Sequence, residues 1–189
     1  MDIDKMTLDE IRRFTKEKFT PEERYLHHFE GEAESAADGG WGDPHNYARS
    51  KEINTALRLN HTVADKYSGP DAYNENGEPV EYKSTTNSAL KATYSGLSIQ
   101  PTWEEQEEYI RTKKIGCYPE HYISRYDGGS LEEVYVVPGV RVGEILMPKI
   151  RKSFDSSARN KDPRCAASLN QREIKQHGQC VYQGGKRIL

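Results

Sequence analysis

The chain has 189 residues, of which 34% are hydrophobic, and carries a formal net charge of −3 with a mean hydropathy of −0.92. This length suits one domain with a modest core and is too short for two ordinary domains. No apolar run approaches the length of a membrane span, and the first residues lack the apolar core of a signal peptide. We therefore expect a cytoplasmic protein with no membrane partner.

Two helices are predicted at the amino terminus. Thr7 and Glu10 form a capping box that opens a helix to about residue 19, and Thr20 and Glu23 open a second helix that ends at the glycines 39–40. They could embrace DNA or form a dimer contact, although packing onto a sheet is the simpler expectation.

A third helix is predicted over residues 47–59, followed by a strand. Ile53, Ala56 and Leu57 recur at helical spacing, and Glu52 borders this apolar stripe. Residues 62–67 are rich in strand-forming types and end before the breaker Gly69-Pro70, so we expect them to form a strand that pairs with the next one.

The segment 70–83 contains the residues that are most informative about function. Asp71 begins a polar loop that ends in Asn76-Gly77, which is typical of a tight hairpin turn with positive φ at both positions. Val80 and Tyr82 then predict a strand. Since side chains alternate along a strand, Glu81 and Lys83 are expected on one face, with Val80, Tyr82 and Ser84 on the other. The hairpin would carry Asp71 back toward Glu81.

The remaining elements follow in order. Residues 84–99 form a polar segment that we expect to border the site. Thr102 caps a predicted helix through Ile110, and two strands at 121–126 and 131–137 form a predicted hairpin. Residues 155–164 are loop-like, and residues 169–177 predict a last helix.

Two carboxylates and an ammonium group in one place can hold a divalent cation and activate a water molecule. Mg²⁺ takes one or two carboxylates, keeps several waters and fills its shell with substrate phosphate. The ammonium group of Lys83 can stabilise a hydroxide or a phosphorane-like transition state. Spacing alone is weak, because Glu173 and Lys175 repeat the Glu-x-Lys pattern in a helical-looking run without an Asp hairpin.

The order of a helix with Glu52, a turn with Pro-Asp71 and a strand with Glu81-x-Lys83 resembles the PD-(D/E)xK nuclease superfamily, whose best-known members are type II restriction endonucleases. The resemblance covers about residues 45–90. It implies that Asp71 and Glu81 bind the metal, that Lys83 positions or activates water, and that Glu52 adds a metal ligand. The catalytic residues would then be Asp71, Glu81 and Lys83.

The resemblance also implies a fold and a function. The fold would be α/β (α+β), with a restriction-endonuclease-like core of a central mixed sheet flanked by helices. A single domain over residues 1–189 would consist of a helical element (1–40), a catalytic core (45–150) and a basic segment (151–189). The function would be that of a Mg²⁺-dependent, sequence-specific endonuclease that hydrolyses double-stranded DNA as a homodimer, leaving 5′-phosphates. A defence role would require a cognate methyltransferase in the host.

Charge distribution points to where DNA would bind. Residues 149–189 contain ten Lys and Arg against three Asp and Glu, whereas the preceding residues contain seventeen against twenty-seven. A basic segment can supply phosphate contacts, although a solvated tail has the same composition. By polarity and position the DNA-binding candidates are Asn87, Lys91, Arg159, Lys161, Arg164, Gln171 and Arg172.

Other functions stay open. A repair or junction-resolving nuclease, or a DNA-binding protein without catalysis, would fit the same scaffold. His27, His28 and His45 suggest a different metal nuclease, but adjacent histidines on a helix point in different directions. The three cysteines, which include no CxxC pair, are Cys117, Cys165 and Cys180. They predict reduced thiols, although together with His177 they could form a zinc site.

Overall fold

The computed structural model describes residues 6–65, 69–157 and 164–188. Within them the helices are α1 (Leu8–Lys18), α2 (Pro21–Asp38), α3 (Arg49–Leu59), α4 (Trp103–Tyr109), a π-helical turn (Ile110–Lys114), α5 (Gly139–Ser157) and α6 (Gln171–His177). The strands are β1 (Thr62–Val63), β2 (Ala72–Tyr73), β3 (Pro79–Thr85), β4 (Lys91–Ser98), β5 (Glu120–Asp127), β6 (Ser130–Pro138), β7 (Arg164–Asn170), β8 (Gln179–Gln183) and β9 (Lys186–Arg187).

Seven strands form the central sheet, in the order β1-β2-β3-β5-β6-β8-β9. The pairing of β3 with β5 is parallel, and every other neighbouring pair in this sheet is antiparallel. The parallel pair is possible because β4 and α4 lie between the two strands in sequence and provide the crossover. The predicted mixed α/β fold with a central mixed sheet and flanking helices is confirmed.

Strands β4 and β7 form a separate antiparallel ribbon. Buried Tyr94 and Leu97 of β4 and Cys165 of β7 belong to a hydrophobic cluster that includes Ile123 and Val137 of the central sheet. The ribbon therefore packs on one face of that sheet, together with α5.

The opposite face carries a second hydrophobic cluster. Val80 and Tyr82 of β3 pack with Ile53 and Ala56 of α3 and with Ala36 of α2. Only one face of β3 therefore enters a hydrophobic core, which explains why buried Val80 and Tyr82 alternate with half-buried Glu81 and Lys83 along this strand.

Several predicted elements differ from those observed. Of the strand expected over residues 62–67, the structure has only Thr62–Val63, and residues 66–68 lie outside the described part. This short strand pairs with β2 rather than with β3. The last helix begins at Gln171, because Asn170 caps it and Leu169 belongs to β7. Of the loop predicted at 155–164, residues up to Ser157 belong to α5 and Arg164 belongs to β7, while residues 158–163 lie outside the described part. The sequence did not predict α5 at all.

Both amino-terminal capping boxes are present, as predicted from Thr7 and Thr20. In the described part of the chain, no helix combines the length and the apolar character needed to cross a membrane.

Candidate active site

A tight turn between β2 and β3 places Asp71. The carbonyl of Asn74 accepts a bond from the amide of Gly77 at 2.8 Å, and the side chain of Asn74 accepts from the amides of Asn76 and Glu78. Gly77 has a φ of +77°, whereas Asn76 does not have a positive φ. The turn therefore lies where Asn-Gly predicts it, but it needs a left-handed conformation only at the glycine.

Strand β2 begins at Ala72, one residue after Asp71, and pairs with β3 only at Pro79 and Val80, so the edge of β3 beyond Val80 is open on this side. The carboxylate of Asp71 accepts a hydrogen bond from the amide of Tyr82 at 2.7 Å. That amide would otherwise lack a strand partner on this edge. The side chain of Asp71 is thereby fixed beside the strand that carries Glu81 and Lys83.

Glu81 and Lys83 lie on the same face of β3, as predicted, and form an ion pair. Their side chains are 16% and 24% exposed, respectively. In the parallel register Glu81 lies beside His121 of β5 and Lys83 lies beside Ile123. Both neighbours are completely buried, so the pair is held against the core rather than on an open surface.

Glu52 reaches the same region from α3 and is held there by an arginine. Arg49, which is only 2% exposed, donates to Glu52 at 3.3 Å and to the carbonyl of Trp41 at 2.9 Å. It also donates to the carbonyl of Ala64 at the end of β1. One buried guanidinium group thus ties α3, the loop before it and the edge of the sheet to the position of Glu52.

The electrostatics show that the four side chains form one cluster. Burial is the main cause that raises the pKa of Glu81 to about 7; the charge of Lys83 opposes this rise and that of Asp71 adds to it. Burial likewise raises the pKa of Asp71, against the effects of Lys83 and the Tyr82 amide. Burial and then the charge of Asp71 raise the pKa of Glu52.

Lys83 remains an ammonium ion in this cluster. Burial lowers its pKa, but the negative charges of Glu81, Asp71 and Glu52 outweigh burial and the net shift is upward. The cluster therefore holds more negative than positive charge when its carboxyl groups are ionised, which favours the arrival of a cation.

A small polar cleft of about 150 Å³ opens beside the cluster. Its walls come from α3, β3 and β5, and the residues are Ala48, Lys51, Glu52, Thr55, Tyr82, Lys83, Ser84 and Ser124. The cleft is wide enough for a few waters and a phosphate group but not for a drug-sized ligand.

The donor set fits a magnesium ion only in part. Among the described residues, no three His, Cys, Asp or Glu side chains are grouped closely enough to hold a metal ion by themselves. Mg²⁺ does not require such a group, because it binds through one or two carboxylates and retains water. Asp71 and Glu81 can supply those two, whereas Glu52 is engaged by Arg49.

The alternative metal sites lack support. The three cysteines are free: Cys165 is buried in β7, Cys117 is half-buried in the turn before β5, and Cys180 is half-buried in β8. Among the described residues, no zinc-binding group includes them or His177. His45 stacks on Phe29 with ring centroids 3.8 Å apart, a packing role.

The DNA-binding candidates are dispersed. Lys91 and Arg172 are exposed near one end of the ribbon, where the side chain of Gln171 accepts a bond from the amide of Leu90. Arg164 lies at the opposite end, paired in register with Ser98. Asn87 is exposed in the loop between β3 and β4. Arg159 and Lys161 lie outside the described residues.

Three residues that shape the site were given no role by the sequence, although Tyr94 lies in the segment 84–99 that was expected to border the site. Arg49 anchors Glu52, and Tyr94 and His121 stand beside Lys83 and Glu81. No local signal in the sequence could identify Tyr94 and His121, because their contact joins residues 27 positions apart. For Arg49, the only signal is its spacing of three from Glu52 on a helix.

Comparison with protein-family models and with curated proteins found no match to this chain. The chemistry of the site is therefore the basis for assigning a function.

Proposed function

We propose that this chain is a Mg²⁺-dependent endonuclease that hydrolyses phosphodiester bonds in double-stranded DNA, in the manner of a type II restriction enzyme. The observation that supports this most directly is the grouping of Asp71, Glu81 and Lys83 at the open edge of β3, with Glu52 facing them from α3. Half-buried carboxylates with raised pKa values beside a half-buried ammonium group are typical of functional sites.

Asp71 and Glu81 would hold the ion, which when bound would supply charge neutralisation at the phosphate and a more acidic water. Lys83 would orient the attacking water and balance the charge that accumulates on the phosphate oxygens. The water oxygen forms a bond to phosphorus as the bond from phosphorus to the 3′ oxygen breaks. The 3′ oxygen takes up a proton, so the products are a 5′-phosphate and a 3′-hydroxyl.

Two cuts are needed to sever a duplex, and a second copy of the chain would supply the second site. Exposed apolar side chains on the amino-terminal helices support this part of the proposal. Tyr25 is 68% exposed, Leu26 is 58% exposed and Phe29 is 45% exposed on α2. Ala36 is the only buried residue of α2 when the described residues alone are considered, so most of this helix has no cover among them.

Supercoiled plasmid incubated with purified protein tests the proposal. We expect linear DNA and discrete fragments with Mg²⁺, none with EDTA, and a loss of at least 100-fold in rate for Lys83→Ala, since the removed charge stabilises the transition state. Lys18→Ala is the control, because Lys18 is an exposed lysine of α1.

Each of the other possible outcomes would indicate a different function. Smeared products or cutting confined to branched DNA would indicate a repair or junction-resolving nuclease. DNA binding without cleavage in any divalent cation would indicate a non-catalytic DNA-binding protein. Full activity of Lys83→Ala would refute the assigned site. Sequencing the ends of the fragments would give the recognition sequence and the cut position.

A further inference from the structure

A buried chain of two hydrogen bonds leads from the core to Tyr94, whose ring lies beside Lys83. The hydroxyl of Tyr94 in β4 lies 2.9 Å from Nδ1 of His121, and Nε2 of His121 lies 3.1 Å from the carbonyl oxygen of Ile115. Tyr94 is 4% exposed, and His121 and Ile115 are not exposed. None of these residues has a role in the reaction described above.

The chemistry of the partners fixes the direction of each bond. The carbonyl of Ile115 can only accept, so Nε2 of His121 must carry a proton and donate it. Burial lowers the pKa of His121 to about 4, so the ring is neutral and Nδ1 is an acceptor. Tyr94 is therefore the donor to Nδ1, and its burial, which raises the pKa of the phenol, keeps that proton in place.

This bond sets the orientation of the Tyr94 ring, and the ring faces the site. The Nζ atom of Lys83 lies over it, 5.4 Å from the centroid. An ammonium group within about 6 Å of an aromatic face is attracted by it, more strongly when both are away from water. Three groups thus constrain the ammonium group of Lys83: the carboxylate of Glu81, the carbonyl of Tyr82 at 3.0 Å and an immobilised aromatic ring.

We propose that Tyr94, held by His121, is a positioning residue that confines the ammonium group of Lys83 beside Glu81 and Asp71. A lysine side chain has several rotatable bonds and loses much freedom when it is fixed. The ring and the carboxylate together restrict it to the place where a scissile phosphate would lie. This inference rests on the proposed nuclease function for its catalytic consequence, but the confinement itself does not.

The first test is spectroscopic and uses the wild-type chain. Protein with ¹³C-labelled lysine is examined by NMR, and the ε-methylene signal of Lys83 is identified by its absence in Lys83→Arg. Protons above an aromatic face are shifted upfield, so we expect this signal upfield of the signals of lysines that have no aromatic ring beside them. An unshifted Lys83 signal in the wild type would overturn the proposal, whether or not the protein cuts DNA.

The second test uses two variants and a matched control. Tyr94→Leu removes the ring, and we expect the upfield shift to vanish and kcat to fall about 100-fold with KM nearly unchanged. Tyr94→Phe keeps the ring but not the bond to His121, so the shift should persist with a loss in kcat of no more than about 10-fold. Tyr135→Leu removes another tyrosine that contacts a lysine, Lys175, and should change neither readout.

The outcomes separate the two proposals. Tyr94→Leu with wild-type kcat, or with an unchanged Lys83 signal, would refute the positioning role. If Tyr94→Leu does not fold, the wild-type spectrum and Tyr94→Phe decide, because a role limited to core packing predicts no upfield signal for Lys83. A shifted Lys83 signal in a protein that cuts no DNA would instead refute the nuclease function and leave the confinement intact.

Discussion

The carboxylate of Asp71 has a structural and an electrostatic role. One oxygen accepts the amide proton of Tyr82, and the buried charge acts on Glu81, Lys83 and Glu52. An asparagine at this position can still accept the bond from the Tyr82 amide, but it carries no charge. The two roles can therefore be separated by a single substitution.

We expect Asp71→Asn to lose at least 100-fold in cleavage rate while its melting temperature without metal equals or exceeds that of the wild type. Burial raises the pKa of Asp71, so the ionised group is unfavourable in the folded chain and its removal relieves that cost. Asp71→Ala, which also loses the hydrogen bond, should melt at a lower temperature. Thermal unfolding in EDTA and a plasmid assay measure both effects. A cleavage rate like that of the wild type would remove Asp71 from the site.

Glu81 makes stability depend on pH. Its pKa is about 7 in the folded chain and near the usual 4.5 when unfolded, so the folded chain binds the proton more tightly. The resulting stabilisation is fully present below about pH 4.5 and is lost as the pH rises through about 7. We expect Glu81→Gln to be more stable than the wild type by about 1–3 kcal/mol at pH 8, an order-of-magnitude figure from the linkage relation.

Urea unfolding in EDTA between pH 5 and pH 8 measures this difference. The two proteins should converge toward pH 5, and Glu34→Gln, a change at an exposed glutamate of α2, should follow the wild type throughout. Parallel curves for the wild type and Glu81→Gln would mean that the carboxyl group is ordinary and solvated.

At the level of single residues, strand alternation was enough to place Glu81 and Lys83 on one face, because it needs only local geometry. Arg49 could not be predicted in the same way. It lies among charged residues at the start of a helix, where an arginine is normally solvated, and only tertiary packing buries it.

Among the elements, the turn between β2 and β3 depends most on one side chain. Asn74 is 8% exposed, accepts bonds from two turn amides and donates to Glu78 and to Glu120 of β5 at 3.1 Å each. We expect Asn74→Ala to destabilise the protein by about 1–3 kcal/mol, since it leaves buried polar groups without partners.

The same substitution should weaken Mg²⁺-dependent cleavage, because Asp71 lies three residues before Asn74. Chemical denaturation and a magnesium titration of the cleavage rate measure the two effects. Asn76→Ala is the matched control, since the Asn76 side chain is exposed and the hydrogen bond that its backbone amide donates to the Asn74 side chain remains. An equal effect of both substitutions would mean that the turn needs only its glycine.

The sequence predicted the helices that begin with a clear capping motif, and it failed to predict elements whose hydrophobic pattern is interrupted. The capping boxes at Thr7, Thr20 and Thr102 mark helix starts that the structure has. Helix α5 was missed because Gly143 and Pro148 interrupt an otherwise regular run of Val142, Leu146 and Ile150.

The ribbon was missed for a related reason. In β4, a bulge between Tyr94 and Leu97, with a φ of +70° at Gly96, breaks the alternation of buried and exposed side chains. The segment therefore reads as polar and irregular, although Ala92, Tyr94 and Leu97 are all buried.

On the scale of the whole molecule, the uncovered amino-terminal helices predict association of two copies. Helix α1 has no buried residue, and α2 exposes Tyr25, Leu26 and Phe29. We expect the wild type to be a dimer at micromolar concentration and Leu26→Glu to be a monomer, because a charge in an apolar contact is strongly unfavourable. Analytical ultracentrifugation measures the mass.

The variant should also nick plasmid rather than linearise it, since each monomer carries one site. Leu57→Glu is the control, because Leu57 is an exposed leucine on α3, outside the two helices. A wild-type monomer that makes double-strand breaks in one binding event would contradict this arrangement.

The pairing of β4 with β7 has a consequence during synthesis. Tyr94 belongs to a strand whose only partner in the described residues is β7, at residues 164–170, far along the chain from Lys83. A nascent polypeptide that has emerged only to residue 160 already contains every carboxylate of the site, yet it lacks the strand that supports the aromatic ring. Under the proposed nuclease function, the chain would reach its full cleavage activity only after residues 164–170 have emerged from the ribosome and paired with β4.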